Sequence, residues 1–230
     1  MNESELDRLI VELRHLYEAL DPVGERQAAK QGTSCARGCA HCCHLMTAIT
    51  LPEGLLLADL VLARDDWREV LVRMAQAAKA VSQTTRVEYF HQQRPCVFLD
   101  GNECSVYADR PAACRYHYAA SPSEQCSPGY EGPMQALNLI ELEGEVWNFA
   151  THTLGDEGLT TAPIPMLVLH CVEGVAALRG HEAAGAARAL IERFGIQNPM
   201  EWAMRSIAQQ VDEPIDPALV EAVMATMADR

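Results

Sequence analysis

Two adjacent cysteines, Cys42 and Cys43, constrain this chain more than any other feature. They close the run Cys35-Ala36-Arg37-Gly38-Cys39-Ala40-His41-Cys42-Cys43-His44, which holds four cysteines within nine residues. Thiolates packed so closely repel one another unless a cation neutralises them or they oxidise in pairs, so the run asks for a metal or a disulfide framework. Neighbouring side chains point to opposite faces of an extended strand, and on a helix they diverge by about 100°. Cys42 and Cys43 can therefore hardly both complete one tetrahedral site without strain. One of them is expected to face the earlier cysteines of the run, and its neighbour to turn toward ligands elsewhere in the chain.

Those ligands are at hand. Eight of the nine cysteines lie between Cys35 and Cys126, and the second set is Cys96, Cys104, Cys114 and Cys126. Four-cysteine coordination suits zinc or an iron–sulfur cluster, since both favour soft thiolate donors. The eight cysteines are thus candidate ligands, either of two sites or of one site drawn from both sets. In both cases the 96–107 segment must fold back onto the 35–43 loop. The ninth, Cys171, shares an apolar helical face with Val168, Val172, Val175 and Leu178, and reads as a buried core thiol. His41, His44 and His117 lie near cysteines and suit hydrogen bonds that orient a site; His170, beside Cys171, reads as structural. Cys35-x3-Cys39-x2-Cys42 also has the spacing of the radical S-adenosylmethionine motif. Against that reading, His41 stands where an aromatic usually precedes the last cysteine, no strand–helix alternation suggests a β/α barrel, and no Gly-Gly-Glu stretch follows.

Composition narrows the class. With 230 residues and 49% apolar content the chain can build a core without disulfide staples. A net charge of −14 leaves no basic surface to displace phosphate counterions, so no nucleic-acid partner is expected. The acidic start, Met1-Asn2-Glu3-Ser4-Glu5, runs into an amphipathic pattern rather than a signal peptide, and no apolar run suits a membrane span. A cytoplasmic, reducing location is the resulting expectation, and clustered cysteines there point to metal or redox chemistry.

The chain reads as mainly α, one domain in which a Cys-rich metal-binding part (about 32–130) with a small β-hairpin is inserted, followed by a helical part (about 131–230). Leu6, Leu9, Ile10, Leu13, Leu16, Tyr17 and Leu20 form one helical face, opened by an Asn2/Glu5 capping box and ended at Asp21-Pro22. Residues 22–34 read as a loop. Thr50-Leu51-Pro52-Glu53 caps a leucine-rich helix through about Ala63. Asp66 opens a third helix that buries Trp67, Val70, Leu71, Met74, Ala78 and Val81 and extends toward Tyr89. Asp100-Gly101-Asn102 makes a hairpin of 96–99 and 104–107, and Arg110-Pro111 starts a helical turn carrying Cys114. Residues 119–133 read as an irregular loop. Helices are expected over about Met134–Leu154, from Pro165, over about His181–Phe194, and from Asn198-Pro199 and Asp216-Pro217. Arg110 and Arg115 flank Cys114 and Arg37 lies in the first run, where cations would lower thiol pKa values. Tyr107 and Pro111 are expected to pack the hairpin.

Five blocks in order carry a family resemblance: Cys35-Ala-Arg-Gly-Cys39-Ala-His-Cys42-Cys43, Thr50-Leu-Pro-Glu53, Pro95-Cys96-Val-Phe-Leu, Cys104-Ser-Val-Tyr107, and Arg110-Pro111-Ala-Ala-Cys114-Arg115. Over roughly residues 32–130 the chain resembles the YkgJ-type cysteine-cluster family, which is described as a candidate zinc- or iron-chelating domain. The cluster is also similar to part of the flagellin lysine N-methylases, which implies an iron–sulfur link to methyl transfer; the chain is short for such an enzyme and shows no Gly-rich loop for S-adenosylmethionine. Three function classes follow. The first is a metal-binding protein holding zinc or an iron–sulfur cluster. The second is an iron–sulfur redox or group-transfer enzyme, with a substrate pocket between the cluster and the C-terminal helices. The third is a thiol-redox sensor, disfavoured because no Cys-x-x-Cys stands beside a βαβ pattern.

Overall fold

The computed structural model describes residues 1–36, 38–84, 92–127, 130 and 132–204. Helix α1 (Glu3–Lys30) opens on the expected capping box: Asn2 Oδ1 accepts from the Glu5 amide at 3.0 Å, and Glu5 Oε2 accepts from the Asn2 amide at 2.7 Å. Its apolar face buries Leu6, Leu9, Ile10, Leu13 and Tyr17. The helix does not stop at Asp21-Pro22. It runs through Pro22 to Lys30, turning the expected loop into two further helical turns. A mid-helix proline costs ~3 kcal/mol, and tertiary contacts on either side of it offset that cost. Asp21 pairs with the buried Arg115, and Gly24 seats α1 so closely that a Cβ there would stand 3.2 Å from Tyr116 Cδ1 and 3.3 Å from the Tyr118 hydroxyl.

Helix α2 (Leu51–Leu62) lies at the centre and is buried on nearly all sides, packed between α1 and α6 (Ile164–Leu178). Gly54 permits the α2–α6 approach: a Cβ there would meet Cys171 Sγ and Leu167 Cγ, each at 3.0 Å. Cys171 is buried among these residues, as its apolar stripe implies. Helix α3 (Trp67–Ser82) buries the six residues expected of it, and with α7 (Ala183–Phe194) it covers the other side of α6. Its expected extension toward Tyr89, Arg37, and the helix at Asp216-Pro217 fall outside the described residues. At Asn198, Oδ1 accepts from the Met200 amide at 2.8 Å and starts the helical turn that follows. Arg179 locks the α6 C-terminus to α2 and the start of α1, through Asp59 at 3.0 Å, Glu3 at 3.1 Å and Asp7 at 2.6 Å.

Strands are few and short, and each pairs segments that position the cysteines. Strand β1 (Ala48–Thr50) is antiparallel to β6 (Thr161–Pro163), with Ile49 opposite Ala162, so α2 and α6 leave from opposite ends of this short ribbon. The expected hairpin is present but shorter: β2 (Leu99–Asp100) pairs with β3 (Glu103–Cys104), and Gly101 takes the turn with φ 58°. Helix α4 (Ala112–Arg115) follows Pro111. Strand β4 (His117–Ala119) pairs with β5 (Ala136–Asn138), which corrects the expected start of the next helix. The backbone of 134–139 is taken up by β4 and its flanks, with the Leu139 amide donating to Tyr116 O at 3.0 Å and the Ala120 amide to Gln135 O at 2.8 Å. Helix α5 therefore begins at Ile140 and ends at Leu154. The fold is mainly α with small antiparallel pairs, as composition and periodicity lead one to expect.

Candidate metal centre

Four separate elements deliver the clustered cysteines. The first run is tied along β4: the Ser34 amide donates to Ala119 O at 2.9 Å, and the Ala119 amide donates to Cys35 Sγ at 3.0 Å. Gly38, at φ 88°, makes a turn that a side chain would strain. Residues His41–His44 then form a 3-10 turn. At three residues per turn, Cys42 and Cys43 diverge by about 120°, while their thiols remain hydrogen-bonded to each other.

The second set folds back onto this turn, as the adjacent pair demands. The Cys96 amide donates to Cys43 O at 2.7 Å. Beyond it the hairpin places Cys104 opposite Leu99, closed by the Ser105 amide and hydroxyl on Phe98 O at 2.8 and 2.9 Å. Cys114 rides on α4, with its Sγ 3.9 Å from Thr47 Oγ1. On the other side, Cys126 ends the 3-10 turn Ser123–Cys126, which packs against His41–His44. All nine cysteines are free thiols. Seven of the clustered eight line one cavity of about 610 Å³; Cys126 is not among its lining residues.

Neighbouring thiols add to the upward shifts that burial causes: Cys42 and Cys39 act on Cys35; Cys35, Cys39 and Cys42 on Cys126; Cys104 and Cys42 on Cys96; and Cys96, Cys42 and Cys104 on Cys114. Burial pushes the thiols up, Cys96 to about 11 and Cys114 further. Cys42 rises mainly through its hydrogen bond with Cys43, and then through burial. The expectation that flanking arginines leave lowered thiol pKa values is corrected on this point: Arg110 favours the thiolates of Cys42 and Cys104, but burial outweighs it. Arg115 does not face Cys114 at all. Its fork is taken by Asp21 at 2.5 Å, Arg110 O at 3.1 Å and Ala108 O, and it stacks 4.2 Å over the Tyr17 ring. Arg110 stacks 4.0 Å over Tyr107, which agrees with a packing role for that tyrosine.

Among the described residues, no three Cys, His, Asp or Glu side chains stand close enough to grip an ion as placed. The donor chemistry nonetheless fits a thiophilic metal. Backbone amides already point at sulfur: Ala119 at Cys35, Val97 and Phe98 at Cys96, and Val106 at Cys104, the last two pairs within one tight turn. Such amides stabilise a thiolate once its proton leaves. Of the histidines, His117 lines the cavity with Nδ1 2.6 Å from Asn138 Oδ1, and His44 buries an Nδ1 that has no hydrogen-bond partner. His170 bonds to Met166 O on α6, away from the cysteines.

Sequence reasoning missed the support beneath the centre. Glu53, only 2% exposed, accepts from the Thr50 amide (2.7 Å) and hydroxyl (2.9 Å), the Tyr17 hydroxyl (2.8 Å) and the Ala112 amide (2.6 Å). One carboxylate thus joins α1, α2 and α4 directly below Cys114. Its capping half is legible in Thr-x-x-Glu; nothing local marks its second oxygen. Also unforeseen is the wall facing the thiols, built from Met46, Val146, Trp147, Ile164 and Pro165.

Residues 34–131 match a family model named CxxCxxCC, described as a "Putative zinc- or iron-chelating domain". The match contains all eight clustered cysteines and agrees with the resemblance read from the five blocks. No curated protein and no solved structure matches the chain.

Proposed function

We propose that this chain, which carries a CxxCxxCC chelating domain over residues 34–131, is a metal-binding protein that holds zinc or iron–sulfur through Cys35, Cys39, Cys42, Cys43, Cys96, Cys104, Cys114 and Cys126. One observation carries this reading: thiols from segments up to about ninety residues apart converge, with none spent on a disulfide. Holding them as ligands, the chain would exclude water with Phe98 and Val106, both buried behind the hairpin, and orient the sulfurs with the amides of residues 97, 98, 106 and 119. Bound zinc would supply a cross-link between segments distant in sequence, and an iron–sulfur cluster would supply an electron site. Free thiols in this number suit a reducing, cytoplasmic setting.

The test is anaerobic purification with elemental and sulfide analysis. Stoichiometric zinc in colourless protein, or iron with acid-labile sulfide in brown protein, is the expected result. Metal-free protein with disulfides among these cysteines overturns it.

The cavity favours a second reading, an enzyme that uses the centre for redox or group transfer. About 610 Å³ is far more than an ion needs and lies in the range of small-molecule sites. Its apolar wall comes from α5 and α6, where a substrate pocket was expected. Native mass spectrometry separates the readings. An enzyme should carry a small molecule of defined mass that is lost in a cavity-filling Val146→Trp variant with unchanged metal content. Identical spectra for the two proteins, with no bound mass, leave storage or structural roles.

A further inference from the structure

We propose that the α5 wall of the cavity recognises a small organic cation, with the Glu143 carboxylate as its counter-charge and the Trp147 indole as its stacking face. This names a ligand class for the cavity reading above and rests on it.

Helix α5 carries three glutamates in its first two turns, Glu141, Glu143 and Glu145. Glu141 and Glu145 are exposed and lie outside the cavity, whereas Glu143 is half-buried and lines it. Among the described residues no cation pairs with Glu143, because each arginine in the cavity lining is committed elsewhere. Arg115 pairs with Asp21 at 2.5 Å, and Arg94 donates to Gln92 Oε1 at 2.6 Å. Arg110 stacks over the Tyr107 ring and donates to Tyr107 O at 3.2 Å. His117, on the same side of the cavity, has its Nδ1 taken by Asn138 Oδ1 at 2.6 Å. The other buried carboxylate in the lining, Glu53, already accepts from four donors. Glu143 is thus a carboxylate drawn out of water with no partner supplied by the fold. Burial pushes its carboxyl up accordingly.

Its neighbours on the helix complete the site. Ile140 stands one turn before Glu143 and Trp147 one turn after it, so the three share one face of α5, and all three line the cavity. Trp67 and Trp202 are buried in the core, but Trp147 is 40% exposed and Ile140 72%, so this apolar face is left open. An open indole beside a carboxylate suits a cation, which gains the charge pair and the face of the ring together. Val146, Ile164 and Pro165 continue the apolar surface inward, where a hydrocarbon stem fits. An anion would meet the repulsion of Glu143. A neutral hydrophobe would cover the carboxylate and leave it unpaired, which costs affinity. The volume, about 610 Å³, is that of a small-molecule site.

The experiment is titration calorimetry on the full chain with three probes that share one stem: hexylammonium, hexanol and hexanoate. Hexylammonium should bind at least about tenfold tighter than hexanol, with hexanoate the weakest. Glu143→Gln should remove that preference and leave the hexanol affinity unchanged, which also shows that the variant is folded. Trp147→Leu should weaken hexylammonium about threefold, and Val146→Trp should block all three probes. An end-capped glycine tripeptide with lysine or arginine at its centre tests the other source of such a cation. Binding no tighter than that of hexylammonium keeps the ligand a small molecule; tighter binding moves it to a polypeptide side chain and overturns that part. Hexylammonium that binds no better than hexanol overturns the cation while leaving the cavity reading intact. So does a preference that survives Glu143→Gln, as it would for an amine held by bound metal. If none of the three probes binds the wild type, the cavity reading falls as well.

Discussion

Glu53 shows how much a single buried group decides. Four donors converge on its carboxylate, and no cation among the described residues pairs with it. In Glu53→Gln the amide keeps one acceptor oxygen and turns an NH2 toward groups that already donate. Leaving buried donors unmet costs about 2–4 kcal/mol, so urea denaturation should show a loss of that size. Tyr17→Phe, which removes only one of the four bonds, should lose about 1–2 kcal/mol. Equal stability of the glutamine variant and the wild type would mean that the carboxylate is not the joint it resembles. Arg110 acts differently. It stacks on Tyr107 near Cys42 and Cys104 and makes no carboxylate pair among the described residues. Arg110→Ala should therefore leave the unfolding midpoint nearly unchanged while weakening metal affinity about tenfold, read by competition with a chromophoric chelator. Arg115, buried and fully engaged, should show the reverse pattern.

Between elements, the closest fit is α2 against α6. A Cβ at Gly54 would press on Cys171 Sγ and Leu167 Cγ, both at 3.0 Å, and neither belongs to a freely moving side-chain end. Gly54→Ala should therefore destabilise by about 1–3 kcal/mol, despite alanine being the better helix former. Adding Cys171→Ala removes the sulfur and should recover part of that loss, a non-additive result expected of residues in contact. Additive losses in the double variant would rule out the sulfur contact as the cause. The same logic explains why α1 crosses Pro22: the helix is anchored on either side of the proline by tertiary contacts at Asp21, Gly24 and Ala28, not by helix propensity.

Across the whole molecule, two kinds of order meet. The core built on α2, α3, α6 and α7 is apolar and takes in Phe98, Val106 and Tyr116, whereas the cysteine-bearing stretches 39–45 and 96–104 are made of short strands, 3-10 turns and loops. Chelation of bound metal under reducing conditions should consequently speed amide exchange of residues 39–45 and 96–104 by about 100-fold, while core amides of α2 and α6 keep their protection. Uniform loss of protection would show instead that the domain and the core fold as one unit. No helix among the described residues is long and apolar enough to cross a membrane.

The sequence by itself determined the helices with strong periodicity and caps, since Asn2/Glu5, Thr50/Glu53 and the buried stripe of α3 are local signals with local causes. It also determined that the two cysteine sets must meet, because side chains at adjacent positions cannot share one direction. What it could not contain was decided in three dimensions. The backbone of 136–138 pairs with β4 instead of starting a helix, because its partner lies twenty residues away. Arg115 turns from the neighbouring thiol to Asp21, which is close in space and ninety-four residues distant in sequence. Burial, a property of the assembled surround, raises Cys104 more than the nearby Arg110 lowers it. And of the pair that set the problem, Cys43 takes the Cys96 amide on its carbonyl while the 123–126 turn packs on the same short 3-10 turn, contacts that only the assembled fold brings about.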